Sequence, residues 1–163
     1  MPDSETLALI SGLAQALKAR GLVCATAESC TGGLIGAALT SVSGSSEWYV
    51  GGVISYANSV KIGLLGVSET DLEAQGAVSE PVVRSMALGA CRVTDADVAC
   101  AVSGIAGPGG GTPEKPVGTV WIGWSKHGET RAEKFHFNGD RDAVRTQTVT
   151  EAIRGMLDWV KER

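Results

Sequence analysis

Residues 5 to 20 carry Leu7, Ile10, Leu13, Ala14 and Leu17 at the three-to-four spacing of one helix face, and Gly21 stands where that helix should stop. The run LVCATA then reads as a short buried strand, and after ESCTGG the segment LIGAALTSV returns to a helical pattern rich in small residues. SGSSEW reads as a loop or a single turn, YVGGVISYA (49 to 57) as a second strand, and NSVKIGLLG as a short helix closed by Gly66. Ser79 is placed to cap a further helix, with Glu80 and Pro81 in its first turn and Val82, Val83, Met86, Ala87 and Ala90 on its apolar side. The apolar run DVACAVSG ends at Gly104 and opens into the loop IAGPGGGTPEKP. VGTVWIGWS and ETRAEKFHF flank the turn KHG as a hairpin, with Trp121 and Trp124 on opposite faces of one strand. A last helix starts near NGDRD and turns Val144, Thr148, Ala152, Ile153, Met156 and Val160 inward.

Helices alternating with buried strands, plus one hairpin, predict a three-layer α/β/α sandwich around a mixed sheet of about five strands. Periodicity leaves the strand order open. With 163 residues, 44% hydrophobic and 20% charged, the chain is expected to form a single domain over residues 1–163 with one core. Cys24, Cys30, Cys91 and Cys100 make no CxxC pair and no cluster with histidine, which fits a reduced, cytoplasmic setting without a metal. The first residues lack the basic flank and apolar block of a signal peptide, and no run reaches the roughly 20 apolar residues that span a bilayer. The net charge is -4 and the 14 basic residues are scattered. Neither nucleic acid nor membrane is therefore an expected partner, and any anionic ligand should be small.

Ligands of open α/β sheets bind beyond the carboxyl ends of the strands. Three segments of marked chemistry fall at such ends: ESCTGG after the first strand, SYANSVK after the second and SGIAGPGGG after the third. In the first, a hydroxyl at a strand-to-helix junction lies near the free N–H groups of the helix start, where an oxyanion or phosphate is stabilised. Ser29 or Thr31 is then either a nucleophile or a plain helix cap. Lys61 and Tyr56 follow the second strand, whereas His127 and His136 lie in the late hairpin, so a serine activated by lysine fits better than a serine–histidine–acid triad.

The obstacle is energetic. A lysine of ordinary pKa near 10.4 is neutral only about once in 2,500 at pH 7, which costs a base roughly 4.6 kcal/mol. Burial or a neighbouring cation must lower that value, or Tyr56 must relay the proton, or Lys61 stays charged and polarises the substrate. Cys30 is a rival nucleophile beside Ser29 or a small buried residue, and Glu28 either orients the loop through backbone hydrogen bonds or contacts the ligand. SGIAGPGGG matches neither GxxxxGK[ST] nor GxGxxG; it is a backbone cradle for phosphate or a wide turn. Arg141 and Arg145 share one helix face, as a forked phosphate ligand or as surface charge balanced by Asp140 and Asp142.

AESCTGG, GAVSEPVV, SGIAGPGGG, KPVGTVWIG and GDRDAVR stand in the order and approximate spacing of one family. From about residue 5 to 160 the chain resembles the CinA C-terminal domain family, whose characterised activity is nicotinamide-nucleotide amidase. The resemblance implies hydrolysis of the carboxamide of nicotinamide mononucleotide to the nicotinate nucleotide and ammonia, with no metal or cofactor, in the recycling of pyridine nucleotides. It implies Ser29 as nucleophile, activated by Tyr56 and Lys61, and substrate contacts from Glu28, Thr31, Gly32, Ser103, Gly104, Gly107, Arg141 and Arg145. Longer relatives carry an additional N-terminal domain that has no counterpart here. A homo-oligomer, first of all a dimer, is expected for a small enzyme of this kind. A nucleotide-binding or regulatory module without catalysis is the competing expectation, and a Rossmann dehydrogenase is disfavoured by its missing fingerprint.

Overall fold

Strand β1 (Cys24–Glu28) is a short run of small residues with all five side chains buried, as a strand covered on both faces requires. It lies inside a five-stranded sheet of order β2-β1-β3-β4-β5, where β2 is Tyr49–Ile54, β3 Val98–Gly104, β4 Thr119–Lys126 and β5 Glu129–His136. β1 runs parallel to β2 and to β3, whereas β4 is antiparallel to both β3 and β5. The carboxyl ends of β1, β2 and β3 consequently share one edge of the sheet. This computed structural model describes residues 2–162; Met1 and Arg163, the outermost residues of the expected domain, lie outside them.

Helices α1 (Ser4–Arg20), α2 (Leu34–Leu39) and α6 (Arg141–Lys161) cover one face, where Leu13, Leu17, Ile35, Ile153 and Met156 meet Cys24, Cys100, Val102 and Trp124 of the strands. Helix α5 (Glu80–Thr94) covers the other, its Val82, Val83, Met86, Ala87 and Ala90 packed on Ala25, Ala27, Ala99 and Ala101. Alanines on that face let the helix lie close, and at Gly123 of β4 a Cβ would come 2.5 Å from the carbonyl oxygen of Val83. Helix α3 (Asn58–Leu65) leans on α5, separated from it by so little that a Cβ on Gly89 would stand 2.7 Å from Leu65 Cα. The expected three layers and mixed sheet are present, and no helix among the described residues is long and apolar enough to cross a membrane.

Four local expectations are corrected. Helix α2 ends at Leu39, short of the LIGAALTSV run, and β2 ends at Ile54 because the carbonyls of Ser55 and Tyr56 turn away from the ladder. Helix α4 (Glu69–Gln75) was not anticipated; it buries no residue fully, so no apolar period announces it. Ser79 occupies the cap position of α5, but its hydroxyl donates to the carbonyl of Gly76 instead of accepting a helix N–H.

Candidate active site

Ser29 follows β1 directly and extends its ladder by one bond, donating its N–H to Val102 O at 3.1 Å. Gly32 N–H returns to Ser29 O at 3.1 Å and closes a tight turn. That turn requires glycine, since Gly32 (φ 59) and Gly33 (φ 113) both take left-handed backbone conformations. The last residue of β1, Glu28, is 2% exposed and points into the start of α2. Its carboxylate accepts the Thr31 hydroxyl and the N–H groups of Gly33 (3.3 Å), Ile35 (2.9 Å) and Gly36 (3.0 Å).

This corrects two expectations and decides between the two roles open to Glu28. The N–H groups that start α2 cap Glu28, so they are not free for an oxyanion. Glu28 orients the loop and does not reach the pocket, and Thr31 is wholly buried with its hydroxyl committed to Glu28. Gly32 is approached closely, but by the Arg145 guanidinium: its Nη2 would lie 3.5 Å from a Cβ at that position.

Lys61, on the first turns of α3, is 1% exposed. Its Nζ lies 2.9 Å from Ser29 Oγ, 2.7 Å from Ser55 O and 3.0 Å from Tyr56 O. The two carbonyls accept only, so they hold two N–H bonds of the amine, and its third direction faces the serine. In the ammonium form that direction is a donor; in the neutral amine it is a lone pair aimed at a hydroxyl proton. Burial lowers the Lys61 pKa below the ordinary lysine value, which favours the neutral form. The nearby Cys30 thiol acts weakly in the opposite sense.

Tyr56 contributes its carbonyl to this cradle, while its side chain is 65% exposed and its hydroxyl makes no hydrogen bond among the described residues. Cys30 is not a competing nucleophile: burial pushes its thiol up to about 11, so the thiolate is scarce at neutral pH. His136 Nε2 bonds Val117 O, and neither histidine lines the cavity.

The third strand end closes the cavity, of about 270 Å³, between Ser29, Lys61, Tyr56, Asn58, Ser103 and the loop from Gly104 to Gly110. Ser103 and Gly104 end β3, and Gly107 turns through a left-handed conformation (φ 82). Arg141, the first residue of α6, lines the same cavity and donates Nη1 to Gly107 O at 2.8 Å. The Arg141 guanidinium and the Lys61 amine face this space and no carboxylate does, which suits an anionic ligand. Asn58, Ala77 and Val78 also line it and went unmarked in the sequence; Asn58 stands between Tyr56 and Lys61 in SYANSVK and was within reach of that reading.

Arg145 departs from its expected pairing with Arg141. It is absent from the cavity wall and donates Nε to Cys30 O and Nη2 to Thr31 O, both at 3.1 Å.

The architecture is thus an α/β/α sandwich whose parallel strand ends bury a serine against a lysine beside an electropositive cavity. The chain belongs to the CinA C-terminal domain family, which matches residues 6–160. It is 49% identical to the nicotinamide-nucleotide amidohydrolase PncC of Escherichia coli over 155 residues, 94% of each chain. A CinA-like protein of Akkermansia muciniphila is 52% identical over 152 residues that make up 93% of this chain and 36% of that longer one. Among solved structures, the competence/damage inducible protein CihA of Agrobacterium tumefaciens superposes with a TM-score of 0.95 at 37% identity, covering 99% of both chains.

Proposed function

We propose that the chain is a nicotinamide-nucleotide amidase that hydrolyses the carboxamide of nicotinamide mononucleotide to nicotinate mononucleotide and ammonia, with Ser29 as nucleophile and Lys61 as its base. The observation that carries this reading is the 2.9 Å contact between Lys61 Nζ and Ser29 Oγ in a lysine cradle that leaves the amine's third direction to the serine. Half the sequence in common with the E. coli amidohydrolase over nearly the full length supports the substrate.

In the first half-reaction Ser29 Oγ attacks the carboxamide carbon as its proton passes to neutral Lys61. The tetrahedral intermediate collapses, and the Lys61 ammonium returns the proton to the departing nitrogen, so ammonia leaves and an ester to Ser29 remains. Water, deprotonated by Lys61, then attacks the ester carbon, and the proton passes back to Ser29 Oγ as nicotinate mononucleotide is released. The phosphate of the substrate is assigned to Arg141 and the loop around Gly107, with Ser103 and Gly104 along the intervening wall and the Tyr56 ring at the mouth. A binding module without catalysis has no use for an amine buried against a hydroxyl. The reading includes a cytoplasmic homo-oligomer, first of all a dimer, to be checked by light scattering; the four free thiols suit a reducing compartment.

The test is ammonia release from nicotinamide mononucleotide by the purified protein. Wild type should turn over and Ser29→Ala should fall by about 10³-fold or more. Full turnover in Ser29→Ala rejects the mechanism, and tight nucleotide binding with no product rejects the activity.

A further inference from the structure

Arg145 reaches the serine turn from the second turn of the molecule's last helix, 115 positions on from Cys30, and its hydrogen bonds there go only to main chain. We infer that Arg145 is a positioning residue whose forked guanidinium sets the peptide planes after Ser29, so that the N–H group of Cys30, at the cavity wall, serves as a donor to the oxyanion formed at the substrate carbonyl. The inference rests on the amidase reading for its substrate and on the turn geometry for its substance.

In a trans peptide the C=O and the N–H point in opposite directions. Arg145 Nε on Cys30 O therefore turns the N–H of Thr31 away from the guanidinium. Arg145 Nη2 on Thr31 O likewise turns the N–H of Gly32 away, and that N–H lands on Ser29 O. The bond to Ser29 O fixes the next plane back, the one that carries the N–H of Cys30. One side chain thus locks three successive peptides. Across them the N–H of Cys30 has no oxygen acceptor among the described residues and only its own thiol beside it, whereas those of Ser29 and Gly32 are bonded and that of Thr31 is buried away from the cavity.

An amide next to a nucleophile and without an oxygen acceptor is what oxyanion stabilisation demands, because a donor held only by a weak sulfur acceptor gives up little when the oxyanion forms. The usual source, the start of the following helix, is closed by Glu28. Lysine at position 145 keeps the charge but has a single head group, and it does not reproduce the fork that meets two carbonyls at once.

The experiment compares wild type with Arg145→Lys and Arg145→Ala. Two readouts are used: steady-state ammonia release, and the rate at which a fluorophosphonate labels Ser29, a reaction that builds negative charge on oxygen without involving nicotinamide mononucleotide. Melting temperatures establish that each variant is folded. For Arg145→Lys, kcat and the labelling rate should both fall by about 10- to 100-fold, with KM for the nucleotide within about twofold of wild type. Added guanidinium ion should restore part of the labelling rate in Arg145→Ala, which a loss of general stability would not permit. A raised KM with kcat and labelling unchanged makes Arg145 a substrate ligand and overturns the inference, as do unchanged kinetics in both variants. If wild type labels at Ser29 in an Arg145-dependent way yet releases no ammonia, the amidase reading fails and the positioning role stands.

Discussion

At Lys61 three acceptors surround one amine, and only one of them carries a proton it could give back. Arginine there would preserve charge and lose the ability to deprotonate, so Lys61→Arg should reduce ammonia release by about 10²- to 10⁴-fold. The lowered pKa fixes the sign of the pH dependence. Log kcat/KM should climb with pH as the amine deprotonates and level off below the ordinary lysine value of 10.5. The same shift acts on stability. Between the folded pKa and 10.5 the unfolded chain holds a proton that the folded chain has released, so this group's contribution to stability rises with pH across that window. Below the window its burial cost is present in full. Tyr56→Phe keeps the carbonyl that cradles the amine, so fluorophosphonate labelling of Ser29 should remain within about twofold of wild type; a larger fall would make the phenol a proton relay. Ser29, Lys61 and Tyr56 were legible in the sequence because each follows a strand. Thr31 and Arg145 were placed toward the ligand because a hydroxyl beside a strand end reads equally as a ligand contact, although it bonds the Glu28 carboxylate, and because the carbonyls Arg145 meets are distant in sequence; for Glu28 the sequence offered the loop-orienting role it takes beside the ligand contact it does not make.

Among the elements, α3 matters most because it carries Lys61, the proposed base, and its position is set by how closely α5 lets it lie. Gly89 is the point of closest approach. Gly89→Ala should cost about 1–3 kcal/mol by overpacking, read as a lower urea midpoint, and should displace α3 enough to lower kcat as well. Helices with a buried stripe were legible to within a residue or two: α5 and α6 present the faces their spacing announces, whereas α1 buries Ile10, Leu13 and Leu17 as expected but leaves Leu7 exposed and turns Thr6 and Ala16 inward. Helix α4 was missed although Ser68 accepts the N–H of Asp71, a capping pattern visible as SETD before an otherwise polar stretch. The overrun of β2 has the same root as the lysine cradle. Ser55 and Tyr56 have strand-like composition, and their carbonyls are turned by a side chain five and six residues further on.

For the whole molecule, the layers followed from periodicity, but the order of strands did not, since each parallel strand is apolar on both faces and any of them could stand in the centre. That order brings three strand ends together at the cavity. The proposed nucleophile and base are both protein side chains, so excess EDTA should leave ammonia release unchanged; strong inhibition would place an ion in the reaction. The two reacting groups also lie on opposite sides of one seam. The alcohol belongs to β1, held between two neighbours, while the amine and both of its cradling carbonyls belong to the stretch after β2, the outermost strand on that side. Fraying there carries amine and cradle off as a unit without disturbing β3, β4 and the helices packed on them. Heat should therefore silence the enzyme several degrees before far-ultraviolet circular dichroism reports loss of the helices, with the amides of the peripheral strand exchanging first.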